Sequence, residues 1–191
     1  MFHTQRGLSP ATAPFGVAEG GQADDLPGHS GTKGTAVDIS RSLFETLKNL
    51  CRILEAAHVD YCLIGGLAVG ILAKPRATED IDLLILIDEQ QIPSLMALLK
   101  KHLDVTHEGH VMHFPQATIW RTLIGTPAGD TVVVDFLLAN HEVYREAVLN
   151  PIKLAVDDVS IPVANRELLI KIKELSGRPQ DLLDITSLKE Q

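Results

Sequence analysis

The segment that most constrains the fold is Thr-Val-Val-Val-Asp-Phe-Leu-Leu at residues 131–138. Apolar side chains occupy both the odd and the even positions, so both faces of a strand would be mainly apolar. The first four residues are β-branched. This composition is typical of a strand buried on both faces, inside a sheet that helices cover. The segment therefore predicts an interior strand of an α/β protein, and it places one carboxylate, Asp135, inside that strand.

The rest of the chain carries the periodicities that such a sheet requires. Leucines recur on one helical face between Leu43 and Leu54, which predicts a first helix from an N-cap at Asp38 to about residue 58. Further helices are predicted over residues 67–73, 90–102, 141–149, 166–175 and 179–188. Further strands are predicted over residues 61–64 and 80–87, around a Glu108-Gly109 turn within residues 104–125, and in a hairpin over residues 152–161. We expect an α/β (α+β) fold with a mixed central sheet flanked by helices and a C-terminal helical segment.

Composition sets the expected boundaries. Residues 1–37 hold seven of the fourteen glycines and three of the ten prolines without any periodicity, so we expect a disordered tail there. The remaining chain is long enough to close one ordinary core. We assign residues 38–139 to that core and residues 140–191 to a hairpin and helical segment packed on it.

The charge balance disfavours one class of function. With 17 basic and 25 acidic residues the net charge is -8, which argues against broad, non-specific binding to nucleic acid but permits a local basic cleft. No stretch is apolar enough for a membrane span and the N-terminus lacks the apolar centre of a signal peptide, so we expect a cytoplasmic protein with no membrane partner. Cys51 and Cys62 lie in apolar surroundings and are interpreted as buried thiols.

Asp80 and Asp82 lie at the start of the apolar strand predicted over residues 80–87. Because side chains alternate across a strand, both carboxylates point to one face and Ile81 to the other. Two like charges in apolar surroundings are unfavourable unless a cation neutralises them, and oxygen ligands suit a hard divalent ion. We therefore predict a Mg²⁺ site, with Mn²⁺ as an alternative. Asp135 would be a third acid, and three acids can hold two such ions.

Gly65 and Gly66 follow the short strand at residues 61–64 and precede an apolar helix. A residue without a Cβ lets backbone N–H groups approach a phosphate closely, and the N-terminus of the next helix directs positive potential to the same place. Beside a metal-binding strand, this arrangement would suit a triphosphate.

These motifs resemble the three-acid signature of the DNA polymerase beta nucleotidyltransferase superfamily. The resemblance rests on Gly65-Gly66, on Arg76-x-Thr78-x-Asp80-Ile81-Asp82 and on Asp135 in a separate strand. The segment from Lys173 to Arg178-x-x-Asp181 is similar to the C-terminal motif of small bacterial members, including AbiEii-type toxins of toxin–antitoxin and phage-defence systems. The superfamily often has a serine where this chain has Gly66.

The resemblance implies a nucleotidyltransferase core at residues 38–139 that transfers a nucleoside monophosphate from a nucleoside triphosphate to an acceptor and releases pyrophosphate. In such an enzyme Asp80, Asp82 and Asp135 would be catalytic and would bind the metal. Nucleotide contacts would come from Gly65, Gly66, Arg76, Thr78, Lys173 and Asp181. The acceptor would be a tRNA, a protein hydroxyl or a small molecule, and a toxin would have an antitoxin protein as its partner.

Other interpretations of individual residues stay open at this stage. Asp-x-Asp also occurs in solvated strands and turns, Arg76 can pair with Glu79 or an aspartate, and Lys173 can lie on a solvated helix face. Three histidines recur at every third position, but the predicted Glu108-Gly109 turn separates them and their spacing matches no closed zinc site. These histidines are His107, His110 and His113.

Two further functions compete with nucleotidyl transfer. The chain could be a non-catalytic relative that binds a nucleotide or a protein partner, such as an antitoxin-like or regulatory module that kept the fold. It could also be a phosphotransferase that moves the γ-phosphate and leaves a nucleoside diphosphate. The identity of the labelled product separates these functions.

Overall fold

The computed structural model describes residues 36–190. The tail predicted at residues 1–37 therefore lies outside the described residues, except for its last two, which belong to the first helix. That helix begins at Ala36, so Asp38 lies inside its first turn and is not the N-cap. Alanine has the highest helix propensity, and nothing between Ala36 and Asp38 interrupts a helix.

Within residues 36–190 the chain forms six α-helices and seven β-strands. The helices are α1 (Ala36–Ala56), α2 (Gly65–Leu72), α3 (Ile92–His102), α4 (Glu142–Leu149), α5 (Arg166–Ser176) and α6 (Pro179–Lys189). The strands are β1 (Tyr61–Ile64), β2 (Asp80–Ile85), β3 (Asp104–Phe114), β4 (Ala117–Gly125), β5 (Thr131–Leu138), β6 (Ile152–Val156) and β7 (Val159–Val163). A 3₁₀ turn over Glu89–Gln91 precedes α3. None of the helices in this range combines the length and the apolar character that a membrane crossing requires.

The strands form one mixed sheet in the order β3-β4-β5-β2-β1-β7-β6. β2 is parallel to β5 and β1 is parallel to β7, whereas the other neighbouring strands are antiparallel. The predicted α/β class with a mixed central sheet and flanking helices is confirmed. Both strands that carry the predicted acids, β2 and β5, lie in the interior of the sheet and are direct neighbours.

Burial of the interior strands fixes their register. Val134 and Phe136 of β5 are fully buried, and the ring of Trp120 on β4 stacks on Phe136 with a centroid distance of 4.9 Å. α1 contacts both the sheet and α3, and its leucines Leu47 and Leu50 are fully buried. A one-residue slip of a strand would turn Trp120, Val134 and Phe136 to the opposite face of the sheet, and such side chains each contribute about 1.5–3 kcal/mol when buried. The side chains that face the functional site are therefore held at fixed positions along their strands.

The predicted turn at Glu108-Gly109 was wrong. Both residues lie inside β3, and the hairpin turns at residues 115–116 instead. The β3–β4 ladder shifts register just after Glu108, which indicates a bulge, and a Cβ on Gly109 would lie 2.6 Å from the backbone oxygen of Arg121. The glycine is thus required by a close approach between strands. As a result, the three histidines all lie on β3: His107, His110 and His113.

The C-terminal helices meet at a sharp junction, as predicted. Asn165 caps α5 by accepting a hydrogen bond from the backbone N–H of Leu168, and α5 ends at Gly177 in the left-handed conformation with φ of 65°. α6 begins two residues later at Pro179. This short connection brings the last turn of α5 next to the first turn of α6.

Candidate active site

A cleft of about 550 Å³ opens between the sheet and the C-terminal helices. One part of its wall is polar and is formed by Gly65, Asp82, Arg121, Asp135, Lys173 and Arg178. The other part is apolar and includes Met112, Phe114, Ile119, Leu137 and Tyr144. Its volume lies within the range of small-molecule sites.

The β2–β5 ladder brings two of the predicted acids side by side. Asp82 and Asp135 are direct partners in this parallel pair, so their side chains lie on the same face of the sheet. Asp80 lies two residues before Asp82 on β2 and shares that face. Thr78 donates a hydrogen bond from Oγ1 to Oδ1 of Asp80 at 2.7 Å, which orients this carboxylate.

Gly65 brings the backbone at the N-terminus of α2 against the carboxylate of Asp82. Gly65 has a φ of +67°, and a methyl group at this position would overlap the side chain of Asp82. At Gly66 a Cβ would lie 2.6 Å from both Thr78 Oγ1 and Arg76 Nη2. Neither position accepts a side chain without displacing its neighbours. The space that a serine would need at position 66 is already filled by Thr78 and Arg76.

Asp82 carries the unusual electrostatics of the site. Burial, followed by the charges of Asp80 and Asp135, raises the pKa of Asp82 to about 7. Lys173 and Arg178 act in the opposite direction but do not compensate. A carboxylate in this situation gains from a nearby cation, because the cation favours its ionised form.

Asp135 has a different environment, and here sequence reasoning was incomplete. Its apolar strand indicated an unpaired carboxylate that needs a metal, whereas the structure supplies a protein partner on β4. Arg121 donates from Nε to Oδ1 and from Nη2 to Oδ2 of Asp135, both at 2.7 Å. Asp135 is buried while Arg121 is half exposed to the cleft. This bidentate pair offsets the cost of burying Asp135.

Lys173 is held by two acids from α6 at the junction of α5 and α6. Its ammonium lies 2.9 Å from Asp181 Oδ1 and 2.7 Å from Asp184 Oδ2, and all three side chains are at most 4% exposed. Burial alone would raise the pKa of Asp181, but hydrogen bonds from Arg178 and Lys173 lower it to about 2. The alternative that Lys173 lies on a solvated helix face is excluded, because the helix junction encloses it.

No protein-family model and no curated protein sequence matches the chain. Solved structures do match. An antigenic nucleotidyltransferase-like protein from Paracoccidioides brasiliensis is 22% identical, with a TM-score of 0.55 over 78% of this chain and 76% of that protein. A candidate nucleotidyltransferase from Thermotoga maritima is 13% identical, with a TM-score of 0.54 over 78% of this chain and 93% of that protein. The chain has a nucleotidyltransferase fold.

Within this nucleotidyltransferase fold, three predicted nucleotide contacts lie apart from the lining of the cleft: Gly66, Arg76 and Thr78. Arg76 forms an ion pair between its Nε and Asp184 Oδ1 at 3.2 Å, and its guanidinium covers Gly66. Thr78 contacts Asp80 and Gly66. Arg76 and Thr78 thus contact Gly66 and the acids without lining the cleft, whereas Gly65, Lys173 and Asp181 line the cleft itself.

Two cleft residues of the nucleotidyltransferase fold escaped sequence reasoning. Arg121 lies in a strand that was predicted only as one of several short pieces, and its partnership with Asp135 depends on the cross-strand register. Arg178 was visible as part of the Arg-x-x-Asp segment, but only Asp181 had been given a role. In the described part of the chain, no group of three or more His, Cys, Asp or Glu side chains is placed so that it could hold a metal ion.

Proposed function

We propose that this protein is a Mg²⁺-dependent nucleotidyltransferase that moves a nucleoside monophosphate from a nucleoside triphosphate to an acceptor and releases pyrophosphate. The observation that carries the proposal is the placement of Asp82. Its carboxylate meets the backbone of Gly65 at the N-terminus of α2 and lies beside Asp135 in the β2–β5 ladder. Acid and helix N-terminus thus share one wall of a ligand-sized cleft.

The chemistry of Asp80 and Asp82 fits a hard divalent cation. Both offer carboxylate oxygens on one face, and burial together with the neighbouring acids raises the pKa of Asp82, so a bound cation would favour its ionised form. Mg²⁺ usually binds one or two carboxylates together with substrate phosphates, which agrees with a pair of acids next to a phosphate site. When bound, Mg²⁺ or Mn²⁺ would neutralise charge that develops on the phosphates during displacement.

The phosphates of the donor would meet the backbone N–H groups of Gly65 and Gly66 and the guanidinium of Arg178. Arg178 lines the cleft, and its side chain is about half exposed. Lys173 was predicted to contact phosphate, but its ammonium is already held by Asp181 and Asp184. We propose that Lys173 instead fixes the position of Asp181, which in turn orients Arg178 through an ion pair of 3.0 Å.

The acceptor is a tRNA, a protein hydroxyl or a small molecule. The net charge of -8 and the apolar part of the cleft favour an acceptor other than a long polyanion. The resemblance to AbiEii-type proteins supports a role as the toxin of a toxin–antitoxin or phage-defence system, with an antitoxin as partner. Neutralisation of toxicity by the product of an adjacent gene would test that role.

The decisive experiment uses the purified chain with each α-³²P-labelled nucleoside triphosphate, Mg²⁺ and a cell extract. We expect label on one acceptor and release of pyrophosphate, both abolished in Asp82→Asn and retained in Asp60→Asn, whose side chain is exposed. Treatment of the product with ribonuclease or protease, or its passage through a size filter, identifies the acceptor class. Transfer of γ-label with a nucleoside diphosphate as product would instead show a phosphotransferase.

A second candidate function is favoured by one observation. Both oxygens of Asp135 are occupied by Arg121, which is the arrangement expected if the acid serves the structure of a non-catalytic nucleotide-binding protein. In that case the chain would bind a nucleoside triphosphate without transferring any label. Equilibrium dialysis with the same labelled nucleotides separates binding from transfer.

A further inference from the structure

The acids at the site fall into two sets that differ in charge balance. The inference drawn from this difference rests on the proposed function. Asp80 and Asp82 contribute two carboxyl groups that meet no Lys or Arg in a direct ion pair among the described residues. Asp135 is paired with one guanidinium by two hydrogen bonds of 2.7 Å. One divalent cation is sufficient to neutralise the first set, and the second is neutral already.

The geometry of Arg121 explains why Asp135 does not join the first set. Arg121 and Asp135 are direct partners in the β4–β5 ladder, so the buried register of two interior strands holds the guanidinium in front of the carboxylate. Arg121 uses Nε and Nη2 together, which is the stronger of the ways in which arginine pairs with a carboxylate. A cation at Asp135 would need to displace this pair and approach a fixed positive charge.

We infer that the site takes one divalent cation, on Asp80 and Asp82, and that the guanidinium of Arg121 occupies the place that a second cation would need beside Asp135. The arrangement agrees with the absence, among residues 36–190, of three acids grouped around a common metal position. Arg121 is then a specificity-determining residue that sets how many cations the site holds. Since it is half exposed to the cleft, it also presents its free edge to a bound anion.

The test is the stoichiometry of Mn²⁺ binding, measured with Mn²⁺ alone by the electron paramagnetic resonance signal of the free ion at pH 8. The intact chain should bind one Mn²⁺. Arg121→Gln, which keeps hydrogen-bonding groups but removes the charge, should bind two. Arg121→Lys keeps the charge and should bind one, and the double variant Arg121→Gln/Asp135→Asn should return to one.

Two Mn²⁺ ions on the intact chain, none at all, or a single ion on a folded Arg121→Gln variant would each overturn the inference. Circular dichroism and thermal unfolding show that the variants are folded. The label-transfer assay stays separate from this readout: one Mn²⁺ per chain without any nucleotidyl transfer would refute the proposed function and leave the inference standing.

Discussion

Two groups of aspartates each contribute one side chain, Asp82 or Asp181, to the lining of the same cleft but have opposite electrostatics. The strand acids, Asp80 and Asp82 on β2, include a carboxyl whose pKa is raised to about 7. The junction acids, Asp181 and Asp184 on α6, include a carboxyl whose pKa is lowered to about 2. Burial acts to raise the pKa in both groups, so burial by itself does not explain the difference.

The difference lies in the cations that each group meets. Asp181 receives hydrogen bonds from Lys173 and Arg178, and these outweigh its burial. At Asp82, the charges of Asp80 and Asp135 raise the pKa by more than the charges of Lys173 and Arg178 lower it. The junction acids are therefore part of the structure, whereas the strand acids keep unbalanced charge that a ligand cation can use.

The largest effect should come from removing the cation shared by the junction acids. Lys173→Met leaves Asp181 and Asp184 buried without that partner, so we expect the free energy of unfolding in urea to fall by about 3–5 kcal/mol. Lys171→Met on the same helix is the matched control, because Lys171 is partly exposed and its ion pair among the described residues is with Glu167. Equal losses in the two variants would show that the junction is not a buried ion network.

Asp82→Asn should raise the free energy of unfolding, whereas Lys173→Met lowers it. A raised pKa means that ionised Asp82 opposes folding, so its contribution is most favourable below pH 4 and is lost as the pH rises through about 7. Without divalent ions, the variant should exceed the parent by roughly 3 kcal/mol at pH 8 and lose this advantage toward pH 4. Thermal unfolding at several pH values measures the gap, and a variant less stable than the parent at pH 8 would contradict it.

The absence of a side chain at Gly65 leaves the space that the carboxylate of Asp82 occupies. Gly65→Ala should lower the free energy of unfolding by about 2 kcal/mol, because alanine is strained at positive φ and its methyl overlaps Asp82. Gly70→Ala in the same helix is the control, since its methyl would have no neighbour closer than 3.7 Å. That substitution should raise stability by roughly 0.5–1 kcal/mol. A loss in both variants would point to helix packing instead.

The effect of Asp181→Asn should be no larger than that of Gly65→Ala. A lowered pKa means that ionised Asp181 stabilises the fold at neutral pH and that this contribution disappears as the pH falls from about 4 to about 2. We expect a loss of about 2 kcal/mol at pH 7 that shrinks with acidification. The free energy of unfolding of Asp181→Asn in urea minus that of the parent should be negative and rise toward zero on acidification, whereas the same difference for Asp82→Asn is positive and falls toward zero. Parallel trends would remove the distinction between the two groups.

Sequence patterns predicted several elements because their causes are local. The run at residues 131–138 was correctly identified as an interior strand from its composition alone, and Gly177 as the end of α5 from its conformational freedom. The Glu108-Gly109 turn failed for a non-local reason. Gly109 faces the backbone of Arg121 on the neighbouring strand, a contact that no pattern within β3 contains.

By itself, the sequence determined that Asp80 and Asp82 share a face, because alternation along a strand depends only on neighbouring residues. It also determined that Asp135 lies in a buried strand and that two glycines precede α2. Only the tertiary structure decided which acids are balanced. Arg121 reaches Asp135 through strand register, and Lys173 reaches Asp181 and Asp184 through the packing of two helices. Charge compensation acts through space, and for Asp135 it joins residues 14 positions apart in the chain.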